Sequence, residues 1–358
     1  MEYTYLKDVC SITMGQSPES SSYNENGEGV PFFQGNADFG EVYPCVRVWS
    51  KEPKKMATAN DILISVRAPI GALNYAKEDC CIGRGLAAIT PSHKVNLKYI
   101  FYLLRAKNSE LNSKGTGSTF KAIGKSVLEE TLVPMLSLEG QDEIVSKVEC
   151  VEGVIRKRRE QLVELDNLIK SRFGEMFGKP VSNTKKWDTK LMCEVAPAVN
   201  YSGKFDKDIW LLNLDMVEAQ TGRIIDYLFV NEDEIGSSTC TFDTSNVLYS
   251  KLRPYLNKVV LPDRCGYATS ELIPLQPDST KINREYLAFM LRSDEFVNMI
   301  NEKVAGAKMP RVSMGDFRKF DVPIPPLDLQ MQFTDFVHQV DKLKFWNTKI
   351  INTQYIKG

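Results

Sequence analysis

Val133-Pro134-Met135-Leu136-Ser137-Leu138-Glu139-Gly140-Gln141 returns later in the chain as Val322-Pro323-Ile324-Pro325-Pro326-Leu327-Asp328-Leu329-Gln330. The two prolines and the two glutamines share one offset, since 323 − 134 and 330 − 141 are each 189. Working outward, the stretch Gly117 to Leu128 answers Gly306 to Phe317, Lys98 to Arg105 answers Glu285 to Arg292, and Asp61 to Ser65 answers Asn246 to Ser250. The chain therefore reads as two copies of one unit, a globular part followed by a long helix. A unit repeated in series implies one operation carried out twice along an extended ligand.

Length agrees with the repeat, because 358 residues exceed a single ordinary core and suggest two domains of roughly 150 residues each. The composition, 43% hydrophobic and 25% charged, is that of a soluble globular protein, and no apolar run approaches the ~18 residues of a membrane span. The start, Met1-Glu2-Tyr3-Thr4-Tyr5-Leu6, has no basic and apolar export pattern, so a cytoplasmic location with no membrane contact is expected. The eight cysteines are scattered and there are only two histidines, His93 and His338, which argues against a zinc site. Net charge is −1. That excludes a uniformly basic coat but leaves room for a local basic face, because phosphate contact depends on where Lys and Arg sit.

After Pro134 the pattern turns helical. With Gln141 at heptad position a, Val148, Ile155, Leu162, Ile169 and Met176 also fall at a, and Ile144, Val151 and Leu165 at d, with Arg158 and Arg172 interrupting the stripe. Residues 141 to 177 at 1.5 Å rise reach roughly 55 Å. In the second copy Val337 and Ile351 fall at a, and Phe333 and Val340 at d, while Lys344 and Asn347 weaken the seam. Two seams in one register favour an antiparallel intramolecular coiled coil over two helices that each cover only their own domain. Gly358 maps onto position 169 of the first copy, so no counterpart of Arg172 to Phe177 lies within the 358 residues. Shorter helices are expected around Leu97 to Lys107 and Asn283 to Arg292, and β-like runs at residues 61–67 and 245–250. The fold class is α+β: two tandem mixed α/β domains (1–136 and 181–325) joined by two long antiparallel helices (137–180 and 326–358), an internal pseudo-twofold.

No phosphate-loop, methyltransferase Asn-Pro-Pro-aromatic, HExxH or GxSxG motif occurs in the sequence, and Asn231-Glu232-Asp233-Glu234 reads as a solvated turn. The two histidines occupy non-equivalent places, so duplicated histidine chemistry is excluded. Binding is left. One candidate is the Gly-rich loop with Lys114, Thr116, Ser118 and Lys121, and its counterpart with Lys308 and Arg311, where amides, hydroxyls and cations lie within reach of a phosphate chain. Another is the strand region, with Arg67 and Arg84 in copy one and Lys251, Arg253 and Lys258 in copy two. A plain surface loop and surface ion pairs are the bland alternatives; recurrence in both copies with different polar residues favours binding. The regions between landmarks diverge, as in Pro31 to Asn36 against Ile209 to Leu214, which suits two readers of different ligands on one frame.

These paired helix lead-ins resemble the DNA-specificity subunits of Type I restriction-modification enzymes. Asp61 to Gly71, Asn246 to Pro254 and the helix end Leu168 to Phe177 support the likeness, which covers nearly the whole chain. The resemblance implies two target recognition domains, each reading one half of a bipartite, asymmetric double-stranded DNA site, and helices that set the spacer and dock two modification (methyltransferase) subunits. It further implies a non-catalytic chain without a cofactor or metal of its own. S-adenosylmethionine would belong to the modification subunits, and ATP and Mg to restriction (endonuclease/translocase) subunits. The rival reading is a non-enzymatic scaffold that uses its coiled coil for protein assembly.

Overall fold

A computed structural model describes residues 2–117, 121–205, 208–305 and 309–356. It divides into two compact units, Met1–Val154 and Ile155–Gly358. The first long helix, Leu138–Phe177, belongs to both.

In the first unit, strand Ile62–Ser65 lies at the centre of an antiparallel sheet. Leu86–Pro91 and then Cys10–Met14 flank it on one side, and Leu73–Tyr75 on the other. All four residues of Ile62–Ser65 are buried, so this run reads as a core strand without polar alternation. A second sheet carries Val30–Phe33 parallel to Cys80–Ile82, flanked by short strands. The second unit repeats the first sheet as Val259–Val260, Val247–Ser250 and Leu272–Leu275. Its other sheet pairs Ile209–Leu212 in parallel with Gly266–Thr269. The expectation of two mixed α/β domains with long helices holds.

The repeated prolines lie on strands that pair on one side only. Leu132–Met135 pairs with Glu2–Tyr5, and Asp321–Pro323 with Thr189–Leu191; an edge strand tolerates a residue without an N–H. From that strand the chain turns into the long helix, and the repeated glutamine closes the turn. Asn96 caps the helix Leu97–Ala106, its side chain accepting from the Lys98 and Tyr99 amides. Its own N–H donates to Gln141 Oε1 at 2.8 Å, and Gln141 Nε2 donates to the Leu136 carbonyl at 3.0 Å. The second unit does the same with different neighbours. Asn283 caps Arg284–Arg292, its N–H donates to Gln330 Oε1 at 2.7 Å, and Gln330 Nε2 donates to the Pro325 carbonyl at 2.7 Å. Tyr99 and Tyr286 each donate a hydroxyl to the repeated proline's carbonyl, at 2.8 Å to Pro134 and 3.0 Å to Pro323. Both glutamines are fully buried.

The first long helix starts at Leu138, within the expected 137–180, where the Ser137 hydroxyl accepts from the Gly140 amide and caps the first turn. In the second unit the two long helices run antiparallel: Arg158 Nη1 donates to Asn347 Oδ1 at 2.9 Å, Lys344 meets Asp166 at 2.6 Å, and Phe173 lies 5.4 Å from Phe333. Ile155, Leu162 and Leu165 are half-buried there and Ile169, Phe333, Val337 and Val340 are buried. Arg158 and Arg172 do not interrupt this seam. Both are half-buried members of it, Arg158 paired with Asn347 and Arg172 stacked over Phe336 at 5.9 Å.

Two seam assignments need correction. Ile144 and Val151 are exposed, and Val145, one position on from Ile144, is buried in the first unit's core. The first turns of this helix pack on their own domain through Gln141, Val145 and Glu152, a stripe set one residue out of phase with Ile144 and Val151. The Ile351 side chain lies outside the described residues.

Replacing Gln330 by Leu removes the amide and leaves the Asn283 N–H and the Pro325 carbonyl buried without partners. Urea unfolding is expected to show a loss of about 2–3 kcal/mol, with a similar loss for Gln141→Leu; unchanged midpoints would remove the glutamines from this role.

Candidate nucleic-acid interface

The loop and the strand region, separate candidates in the sequence, form one element in each unit. In the first, the chain leaves Ile62–Ser65 through Arg67, and Arg67 bridges Ala122 across the loop. Ile123 N–H donates to Val66 O at 2.9 Å and Ala68 N–H to Lys121 O at 3.1 Å. Thr116 and Ala122 exchange both backbone hydrogen bonds, at 3.0 and 2.9 Å, closing a hairpin. Its Gly117 has φ 123, a conformation that side-chain-bearing residues avoid. In the second unit Leu252 bridges Arg311, Val312 N–H donates to Lys251 O at 2.9 Å, and Arg253 N–H donates to Pro310 O at 2.8 Å. The same pair of backbone bonds thus holds the loop to the strand end in both copies, while the side chains they present differ.

The candidate cations fall into two groups. Arg67, Arg84 and Lys121 are exposed, Arg253 is exposed and Lys251 half-buried, and none of the five has an ion-pair partner among the described residues. The others are already engaged. Lys114 pairs with Glu110 at 2.6 Å, and hydrogen bonds from Lys107 and Lys114 hold that carboxyl down at about 2. Lys258 is half-buried with Nζ donating to the Leu214 carbonyl at 2.6 Å, and loss of solvent lowers its pKa. Arg311 grips Glu271 through Nη2 at 2.9 Å and Nε at 3.2 Å, which raises its pKa. Lys258 and Arg311 are thus held by internal partners in this structure, and a side chain that must first break a close internal bond loses part of what a new contact returns. Thr116 is exposed on the hairpin, and Ser118 and Lys308 lie outside the described residues.

The structure adds neighbours that periodicity could not reveal. Arg253 has φ 49 and Asn257 φ 49, a left-handed pair that bends Pro254–Leu256 into a tight turn and exposes Tyr255 beside Arg253. Gln220, also left-handed at φ 67, donates Nε2 to the Tyr255 carbonyl at 2.9 Å. Positive φ in non-glycine residues marks a backbone held by its surroundings. The only sequence signal was the turn-forming Thr221-Gly222. Arg264 lies 5.0 Å over the Tyr227 ring and 5.7 Å over Phe229, a stack with no sequence signature. Among the described residues no three His, Cys, Asp or Glu side chains converge as a metal site, and no helix is long and apolar enough to cross a membrane.

The two units present different polar side chains from one repeated backbone frame. Residues 1–165 and 230–354 match the Type I restriction modification DNA specificity domain, and the chain belongs to that family. It is 45% identical over 155 residues to the putative type I restriction enzyme MjaX specificity subunit of Methanocaldococcus jannaschii, a match covering 42% of this chain and 36% of that relative. It is 22% identical over 372 residues to the type I restriction enzyme EcoDI specificity subunit of Escherichia coli, covering 94% of this chain and 80% of that one. The crystal structure of the Type-I restriction-modification system S subunit from M. genitalium superposes with a TM-score of 0.55 at 14% identity, over 99% of this chain and 93% of that one, a likeness of fold.

Substitution should separate the two groups of cations. Lys258→Met removes the charged donor from the Leu214 carbonyl, leaving it the Val217 N–H at 3.3 Å, and is expected to cost about 1 kcal/mol in thermal or urea unfolding, whereas Arg67→Ala should stay within about 0.5 kcal/mol of the parent. The reverse order would overturn the division.

Proposed function

We propose that this chain is the sequence-reading subunit of a Type I restriction-modification complex. One domain reads each half of a bipartite, asymmetric DNA site, and the long helices set the spacer and dock two modification subunits. The chain itself catalyses neither methyl transfer nor cleavage and binds no cofactor. S-adenosylmethionine is used by the modification subunits, and ATP with Mg by restriction subunits, in the cytoplasm. The observation that carries the reading is the repeated loop-to-strand lock, which holds Arg67 and Lys121 in one copy and Lys251 and Arg253 in the other. A constant backbone presenting different donors is what two readers of unlike half-sites require, because amides and cations fix register on phosphates while side chains read base edges. Family membership supports it.

Two experiments test this. Exchanging residues 184–322 for the same region of a relative should change one half of the site methylated in cells that carry the partners and leave the other half intact; alteration of both halves would refute the division of labour. Binding of random duplex DNA across a salt series should weaken for Arg67→Ala and for Lys121→Ala, each lowering the slope of log K against log salt by about one. Lys258→Met should leave that slope unchanged. Equal slopes for all three variants would remove the exposed cations from the interface.

A further inference from the structure

In each unit two parallel strands end side by side. In the first, Phe33 pairs with Ile82; Gln34 follows one strand and Gly83-Arg84-Gly85 the other. In the second, Leu212 pairs with Ala268, and Asn213 and Ser270 hold the same two places. The surroundings match. Met56–Ala57 runs antiparallel to Cys80–Ile82 as Thr239–Phe242 does to Gly266–Thr269, and Leu86 opposes Ser65 as Leu272 opposes Ser250. The backbone under the first pair is fixed: Gly83 N–H donates to the Phe33 carbonyl at 2.8 Å, Gly85 N–H to the Gln34 carbonyl at 3.2 Å, and Gln34 N–H to Asp38 Oδ2 at 2.8 Å. No side chain fits on either side of Arg84. A Cβ on Gly85 would lie 2.5 Å from the Gln34 carbonyl oxygen, and one on Gly83 3.0 Å from Gln34 Cα. Gln34 and Arg84 are nevertheless exposed, and neither side chain has a hydrogen bond or ion pair among the described residues. A seat built this tightly under two unengaged polar groups is the arrangement that precise recognition needs.

We propose that Gln34 and Arg84 are the base readers of the first unit, Arg84 taking a guanine through O6 and N7 and Gln34 an adenine through N6 and N7 in the major groove. The inference rests on the reading as a DNA-specificity subunit and names the side chains that set its sequence. Neighbouring strands lie about 4.8 Å apart, close to the ~3.4 Å step between base pairs, so the two bases lie within about two base pairs of each other. A carboxamide has no charge to attract a phosphate, while its donor and acceptor together match one base edge. The hairpin cations Arg67 and Lys121 are left for the phosphates. In the second unit the half-buried Asn213 keeps the carboxamide, and the exposed hydroxyl of Ser270 replaces the guanidinium. That half-site keeps an adenine contact and has no guanine contact from this place.

The test maps the sites methylated in cells by the complete complex. The half belonging to the first unit is the one that survives exchange of residues 184–322, and it is expected to contain the guanine and the adenine. Arg84→Ser should cut the preference for that guanine about tenfold, and Gln34→Ala the preference for that adenine about tenfold, with every other position as in the parent. Asn213→Ala should relax one adenine of the other half. Gln34 and Arg84 are exposed, so the melting temperatures of their variants should hold. An arginine that touched only phosphate would weaken all sequences alike and leave the methylated site unchanged. That outcome, relaxation at other bases, or a first half lacking either base overturns the proposal. Domain exchange that moves one half while neither substitution has an effect defeats this inference alone; a parent complex that methylates no bipartite site defeats the reading beneath it.

Discussion

One buried carboxamide in each copy ties the globular part to its helix. Gln141 and Gln330 each accept the N–H of a helix-capping asparagine and donate to a carbonyl of the strand-to-helix turn. A capped helix more than forty residues away in sequence is thereby held against the turn that joins the edge strand to the long helix. An amide suits this place because it supplies donor and acceptor together without a charge to desolvate. Direction follows from it, since a long helix amplifies any error in its starting angle, and fixing its first turn against the domain sets where its far end goes.

The features legible in the sequence were those with obligatory chemistry. Pro134 and Pro323 repeat because an edge strand accepts them, and Gln141 and Gln330 because nothing else makes both bonds; their common offset gave the two-copy architecture directly. The strand Ile62–Ser65 was likewise visible as a β-like run. Heptad counting was less reliable, for a physical reason. The first long helix serves two surfaces in succession, its own domain through Gln141 and Val145 and then the antiparallel partner through Leu162, Leu165 and Ile169, and one register cannot describe both. The expectation therefore placed Ile144 and Val151 inward and treated Arg158 and Arg172 as breaks.

The candidate interface was legible by location and not by partnership. Sequence singled out the Gly-rich loop and the strand end in both copies, and the fold joins them through the same two backbone bonds. Which cations are free depends on carbonyls and carboxylates far along the chain: Leu214 for Lys258, Glu271 for Arg311. Such pairings leave no local pattern. Arg67, Lys121 and Arg253 are distinguished by having no ion-pair partner among the described residues.

Arg158 and Asn347 are 189 residues apart, the repeat offset itself, so each hydrogen-bonds its own counterpart. In an antiparallel pair built from two like halves, a position meets its equivalent only where the symmetry axis passes. If two separate, identical half-length chains paired this way, the same side chain would have to face itself at that point: two guanidinium groups repelling, or two amides without charge. Joining the halves in one polypeptide lifts that restriction. A cation and a neutral acceptor can share the axis, and the helix bearing Arg158 is thereby disfavoured from pairing with another copy of itself. Covalent fusion thus does more than hold two units together; it allows the junction to tell its two sides apart.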